Sequence, residues 1–407
     1  MTHVLTVFID GLKFESLKYM PFLNSFSQKR KIWTDLGYSV ACHASMYSGV
    51  RPNKHLSWFI WKYSPDTSPF KWINKLKIDR LPHNAYSKYI CYRISSLLAR
   101  EEVTAFTGIP FLWNMPLKDW HYFDLAEKRY WTDPRYMENY PTIFDILTKN
   151  SIEYDLVGMP VDTRLSPRDI RNQNRALREH NPREIRPWTY LFIGYIDLMS
   201  HFYGQDSNEV QALLKEIDKI VEQKYRFFEE QAKDFVFFLF SDHGHIKINQ
   251  ELDLYSLFKS SGKQLEDYIF FIDANYVRFW FKNEREEKEI HQVISKLDGK
   301  GFILTSDLLR KYNVDMPDNR YGDLIFYLDA PYIFGRGEIV VMGKRRNPVI
   351  VSMHGYRPDF PCYDGVIVSN KPLLDEPYVK LVDIMPSILS SLDIPIPKHA
   401  EGKVIWK

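Results

Sequence analysis

"FVFFLFSDHGH", residues 235–245, drives six apolar residues, Phe235 to Phe240, straight into Ser241-Asp242-His243-Gly244-His245. The apolar run has strand length and no alternation. A strand covered on both faces reads this way, as in a parallel sheet packed between helices. In such sheets ligands sit beyond the carboxyl ends of the strands. An acid and an imidazole just past that end are placed for chemistry, although Asp-His-Gly is also ordinary turn material.

Two further runs repeat the pattern. Val4 to Ile9 leads into Asp10-Gly11, and Thr189 to Ile196 leads into Asp197, with His201 four residues on. Three buried strands that each end in an aspartate predict a carboxylate cluster on one edge of one sheet. Carboxylates so close repel and raise one another's pKa, and a cation removes the conflict. Donors of Asp and His type without thiolates suit zinc or manganese better than an iron–sulfur centre. The expected fold class is α/β: a mostly parallel sheet sandwiched by helices, with a small inserted α+β cap.

The 407 residues suffice for a large core and an insertion or second domain. With 45% apolar and 26% charged residues the chain is globular. A net charge of +2 gives no case for bulk nucleic-acid binding. Three cysteines, Cys42, Cys91 and Cys362, form neither a disulfide framework nor a zinc-thiolate motif. The chain shows no signal-peptide pattern, and no run reaches the roughly 18 apolar residues of a membrane span. The expected location is cytoplasmic, and no transmembrane segment is expected.

Along the chain, Pro21 to Arg30 predicts a helix, and residues 56–135 form an aromatic-rich excursion able to wall a substrate pocket. Pro141–Lys149 predicts a helix and Tyr154–Gly158 a short strand. The Arg-rich stretch 164–187 reads as a solvated loop and helix. Asn208 to Ala232 is an amphipathic helix with Val210, Leu214, Ile217 and Val221 on one face. It makes a βαβ crossover into the 235–240 strand. From about residue 250 the pattern changes: Tyr276–Phe281 alternates like a half-exposed strand, Glu284–Leu297 reads as a helix, and Gly301–Leu304 and Asp323–Leu328 as strands. The expected division is a core of residues 1–250 and 340–407 with a cap of 251–339. Gly365–Ser369 returns as a strand and Val379–Leu392 as a closing helix.

The segment "YSVACHASMYSGVRPNKH", residues 38–55, predicts a helix start near Ala44, with Ser39 or Cys42 just before it. A helix N-terminus offers free N–H groups and partial positive charge to an anion such as a phosphoryl group. A hydroxyl there that also touches a metal makes a good nucleophile.

In this order the motifs resemble the alkaline phosphatase superfamily, and more closely its nucleotide pyrophosphatase/phosphodiesterase-like branch. "VFIDGL" is similar to the first metal-ligand strand. "SVACHASMYSGVRPNKH" resembles the nucleophile segment, in which counting back ten residues from Gly49 gives Ser39. "YIDLMSHFYG" resembles the Asp-x-x-x-His segment, "FSDHGH" the "SDHGM" motif, and "MHGY" at 353–356 the late "HGY". The ending 379–405 resembles the family's terminal helix and strand. The resemblance implies two divalent ions, usually zinc, with manganese as the alternative. Asp197, His201 and His354 would hold one, Asp10, Asp242 and His243 the other, and Ser39 would bridge towards the pair as the catalytic nucleophile. It further implies a phosphoester hydrolase, phosphodiesterase or phosphomonoesterase, that works through a phosphoseryl intermediate. Its substrate would be a phosphorylated small molecule, nucleotide or glycan. The chain departs from diesterases of the branch in carrying Ser39 for threonine and Cys42 for asparagine, which leaves monoester and diester preference open. His245 reads either as a group that supports the ligands from behind or as plain loop, and His43 falls near the place of the family's phosphate-binding groups or is a packed or capping residue; both are left out of the site, as is His55.

Relatives on the same fold fit less well. A sulfatase needs Cys or Ser followed by x-Pro-x-Arg, which neither "SVACH" nor "CHASM" supplies. A cofactor-independent phosphoglycerate mutase would carry a larger insertion in place of the cap. A non-catalytic binding or scaffold protein would not need the full ligand set.

Overall fold

The computed structural model describes residues 2–77, 85–98, 110–158, 167–232, 234–335 and 350–407. In chain order, the elements that build the core are β1 (His3–Ile9), β2 (Gln28–Trp33), α1 (Ser39–Ser48), β3 (Tyr154–Val157), β4 (Trp188–Ile193), α2 (Tyr195–Tyr203), α3 (Asn208–Gln231), β5 (Phe235–Phe240), β6 (Gly365–Ser369) and β7 (Tyr378–Lys380). Seven strands form one sheet in the order β7-β2-β6-β5-β1-β4-β3. β5, β1, β4 and β3 run parallel, and β6 is antiparallel to both β5 and β2.

Both sides of this sheet are apolar, as the continuous runs require. Val236, Phe238 and Phe240 pack on one side with Met46, Trp131, Phe144 and Ile388. Phe235, Phe237 and Leu239 pack on the other with Leu214, Ile217 and Val221 of α3. All six residues of β5 are buried.

Residues 250–335 build a second sheet of four antiparallel strands, in the order 269–273, 276–280, 324–328, 301–303. Its strand Tyr276–Trp280 is buried along its whole length. The half-exposed reading is corrected, because this strand has apolar neighbours on both sides. The sequence reading also lacks the strand Ile269–Asp273.

The aromatic excursion is more than a pocket wall. Trp61, Phe70, Ile73, Leu112, Trp120 and Phe123 share one hydrophobic core with Phe258, Phe271, Phe279, Ile290 and Phe326 of the cap. The strand Trp61–Tyr63 pairs with Phe123–Leu125 at its edge.

Three other expectations change in detail. Pro21–Arg30 is a single helical turn, Pro21–Asn24, followed by β2. Thr189–Ile196 ends as a strand at Ile193, and α2 carries Asp197. Val379–Leu392 divides into β7 and a helix at Ile384–Ser391. Residues 78–84, 99–109, 159–166 and 336–349, over which the excursion, the Arg-rich stretch and the end of the cap extend, lie outside the described residues.

Candidate functional site

Strand register assembles the site. β1 pairs Ile9 with Ile193 of β4 and Phe8 with Phe240 of β5. The residues that follow therefore leave the sheet side by side. The Asp10 amide donates to the Ile193 carbonyl at 3.0 Å, and the Gly11 amide donates to Asp242 Oδ1 at 3.2 Å. Gly11 has φ +72, and a Cβ there would stand 3.0 Å from Asp197 Cα and 3.1 Å from His245 Nε2. Only glycine lets β1 turn this close to its neighbours.

Asp197 and His201 lie one turn apart in α2, a spacing that sets both on one helix face. His354 follows the short strand Ser352–Met353, which pairs with Ile246–Lys247 and so ties its loop to the one after β5. Asp10, His201, Asp242, His243 and His354 are all buried.

Three groups of donor atoms converge, each within 4.8 Å: Asp197, His201 and His354; Asp197, His243 and His245; and Asp10, Asp242 and His243. His201 Nε2 is 3.5 Å from Asp197 Oδ2, and His354 Nε2 is 3.4 Å from Asp197 Oδ1. His243 Nε2 is 3.3 Å from Asp242 Oδ2 and 3.7 Å from Asp10 Oδ1.

The proton positions follow from the partners on the far side of each ring. His201 Nδ1 is 3.0 Å from the Ser352 carbonyl, and His243 Nδ1 is 3.2 Å from the Gly244 carbonyl. A carbonyl only accepts, so Nδ1 carries the hydrogen, and in the neutral ring Nε2 is a bare lone pair aimed at carboxylates. Acceptor facing acceptor is repulsive unless a cation lies between. A backbone carbonyl that fixes the tautomer of a metal-ligating histidine is the usual supporting contact of such sites. Asp10 Oδ1 and Asp242 Oδ2 are buried with no hydrogen-bond partner among the described residues. Donors on one tetrahedral zinc ion lie roughly 3.3 Å apart, from metal–ligand distances of about 2.0–2.1 Å. The residues fit a divalent cation.

Protons alone would satisfy the cluster poorly. Burial, reinforced by the charges of Asp242 and Asp197, holds the Asp10 carboxyl well above the usual range. Burial also raises Asp242, against the pull of His243. Burial pushes Asp197 up too, but His201, His354 and His245 outweigh it and hold it well below the usual carboxylate range. Burial drives His354 well below the ordinary imidazole value and His245 down to about 4, whereas His201 goes the other way: burial lowers it, but the Asp197 carboxylate outweighs burial and holds it above the ordinary value. Neutral imidazoles are the form that binds metal.

Ser39 is the first residue of α1. Its Oγ lies 3.3 Å from His243 Nε2, so the predicted hydroxyl meets the Asp10/Asp242/His243 group. Cys42, the other nucleophile candidate, is enclosed. Its Sγ is 3.6 Å from Thr34 Oγ1, and burial holds the thiol well above its ordinary value. His55 is structural: its Nε2 meets Ser45 Oγ at 3.0 Å, and its Nδ1 accepts from the Ser57 amide at 3.1 Å. His43 lies in a box of Phe8, Tyr47, Trp131 and Phe192. Lys54 is paired with Glu401 at 2.8 Å. The residue that sequence reasoning missed is His245, whose Nε2 is 2.8 Å from Asp197 Oδ1. Its signal was present: an imidazole two residues after His243 projects to the same side of an extended segment.

The chain was compared with known proteins. The family model of type I phosphodiesterases and nucleotide pyrophosphatases matches residues 4–357. No sequence among curated proteins matches. Human ectonucleotide pyrophosphatase/phosphodiesterase 5 is similar in structure, with a TM-score of 0.66 at 11% identity, over 98% of this chain and 97% of that one. The murine protein, as an inactive Thr→Ala variant in complex with AMP, matches with a TM-score of 0.66 at 10% identity, over 98% and 97%. Among the described residues no helix is long and apolar enough to cross a membrane. The family match runs from the first strand to the loop that carries His354, and the chain belongs to the type I phosphodiesterase/nucleotide pyrophosphatase family of the alkaline phosphatase superfamily, metal-dependent hydrolases of phosphoric esters.

Proposed function

We propose that the chain hydrolyses phosphoric diesters of nucleotide type, with Ser39 as nucleophile. Two divalent ions, zinc or alternatively manganese, are held by Asp197, His201 and His354 and by Asp10, Asp242 and His243. The observation that carries this reading is the place of Ser39 Oγ, at the N-terminus of α1 and 3.3 Å from His243 Nε2. The AMP held by the murine relative supports a nucleotide-type substrate.

Ions held by these residues would lower the pKa of the Ser39 hydroxyl and offset charge on the phosphoryl oxygens. The chain supplies the rest. The Ser39 hydroxyl gives up its proton to solvent, Oγ forms a bond to phosphorus as the opposite P–O ester bond breaks, and the leaving oxygen takes up a proton from solvent in exchange. The positive end of the α1 dipole lies at Ser39, where it offsets the negative charge of the transferred group. Water then breaks the bond between Ser39 and phosphorus, restoring the hydroxyl and releasing a phosphate monoester. The Ser352 and Gly244 carbonyls hold His201 and His243 in the tautomer that keeps Nε2 turned to the site.

Ser39→Ala is expected to lower turnover of bis(4-nitrophenyl) phosphate by at least about a thousandfold while bound metal, measured by elemental analysis, stays at the wild-type level. Wild-type rates in Ser39→Ala would remove the nucleophile assignment. Faster turnover of the diester than of 4-nitrophenyl phosphate supports the diesterase reading, and the reverse order makes the chain a phosphomonoesterase.

A further inference from the structure

We propose that the helix Ala85–Leu98 docks the protein on an anionic lipid bilayer, lying in the plane of the membrane surface. The inference is independent of the reading of the metal site.

Among the described residues ten large apolar side chains are exposed, and six of them, Leu76, Tyr86, Ile90, Ile94, Leu97 and Leu98, fall in one part of the aromatic excursion. Five of the six are on this helix, at positions 86, 90, 94, 97 and 98. At about 3.6 residues per turn that spacing confines them to roughly one third of the helix circumference. Exposure runs from 38% at Ile94 to 74% at Tyr86, so the stripe faces water and not the core.

The opposite face is already committed. Cys91 is buried in the core shared by the excursion and the cap, and Tyr92 packs against that core. Lys88 Nζ donates to the Trp113 carbonyl at 2.7 Å, and Trp72 Nε1 donates to Ser95 Oγ at 2.8 Å. These inward contacts fix the rotation of the helix, and with it the direction of the stripe.

Charge selects the occupant. Arg93 is exposed at the border of the stripe. The Trp72 contact sets the short helix Lys71–Lys75 beside Ala85–Leu98, and Lys71, Lys75 and Lys77 are exposed there. Neither helix contains an acidic residue, a local excess that the whole-chain charge of +2 conceals. Cations beside a stripe of aliphatic and tyrosine side chains complement an anionic bilayer: the headgroups attract the first, and the acyl boundary takes up the second. A second copy of this chain fits less well, because pairing the two stripes would bring the same cations together. The helix has 14 residues, about 21 Å at 1.5 Å per residue, short of the roughly 30 Å hydrocarbon core, so it lies on the bilayer and does not span it.

The test is flotation of the whole chain with vesicles of phosphatidylcholine alone or of equal parts phosphatidylcholine and phosphatidylglycerol. Binding to the anionic vesicles is expected to exceed binding to the neutral ones at least roughly tenfold and to fall as salt rises from about 0.05 to 0.5 M. Ile90→Gln combined with Leu97→Gln is expected to lower binding to the anionic vesicles at least about tenfold. Lys75→Gln combined with Arg93→Gln is expected to lower it by a similar factor, about tenfold. All four side chains are exposed, and an unchanged thermal unfolding temperature shows that each pair keeps the fold. No flotation with anionic vesicles, or flotation that both folded pairs leave within about twofold of wild type, overturns the inference and leaves the stripe to a protein partner. Equal binding to the two kinds of vesicle overturns it as well. Sedimentation velocity that finds a wild-type dimer and a monomer of the Ile90→Gln, Leu97→Gln pair overturns it in favour of a second copy.

Discussion

Asp119 shows what burial does to a carboxyl away from the site. It lies in the short 3-10 helix Leu117–Tyr122 of the excursion, 5% exposed, with Oδ2 lacking a hydrogen-bond partner among the described residues. Burial pushes its carboxyl up to about 7, against the opposing pull of Lys118 and Lys282. A folded-state value above the unfolded one means that the folded chain binds the extra proton. The associated stability is complete below about pH 4 and is lost as pH rises towards 7. Asp119→Asn removes this dependence. It is expected to melt above wild type at pH 8, by an amount worth on the order of 1–3 kcal/mol, and level with it at pH 4, as thermal unfolding at the two pH values would check. Asp10 and Asp242 could be placed from the sequence because each follows a buried strand directly, while Asp197 sits a little further on, in α2. Asp119 follows no such strand. His245 was passed over for a related reason: Asp-His-Gly-His is ordinary turn chemistry, and only the fold sets its ring 2.8 Å from Asp197.

Among the elements, α1 carries the most. It presents Ser39 at its start and stops at Gly49, whose φ is +70 and whose amide donates to the Ser45 carbonyl. A Cβ at Gly49 would come within 2.8 Å of Met385 Cε. Gly49→Ala is expected to cost about 1–2 kcal/mol, mostly from the left-handed backbone, since a methionine end can give way. Chemical denaturation would measure it. The "Ser-Gly" ending of α1 is visible in the sequence for this reason, whereas the ten-residue count back to Ser39 rests on the resemblance to the family's nucleophile segment, since local pattern alone places the helix start near Ala44. β2 was not visible. Its sequence, QKRKIW, is basic and only Ile32 is fully buried, so it reads as the end of a helix. It becomes a strand because β6 and β7 offer ladders on either side. Pairing partners distant in sequence, rather than local propensity, decide such a segment.

At the scale of the molecule, the boundary between core and cap is where the sequence reading was least complete. Composition marks residues 56–135 as aromatic but says nothing of what those rings pack on. Arg278 on the cap strand Tyr276–Trp280 joins the two segments. Its side chain is wholly buried, Nε donates to Asp273 Oδ2 at 2.9 Å, and Nη1 donates to the Trp61 carbonyl at 2.8 Å. The guanidinium carbon lies 4.4 Å from the Phe59 ring centroid and 4.8 Å from that of Phe271. Arg278→Ala leaves Asp273 as a buried, uncompensated acid and is expected to destabilise by about 3–5 kcal/mol. Arg278→Met combined with Asp273→Leu is expected to recover most of that loss, and equilibrium unfolding of the two variants separates a structural pair from a catalytic one. Because the aromatic rings of the early segment and the four-stranded sheet of the late one fill a single interior, neither stretch is a removable cassette. A gene trimmed of the late insertion would leave a patch of tryptophans and phenylalanines facing water, and a graft onto another phosphodiesterase would have to transplant both pieces together, as two cuts in the recipient rather than one.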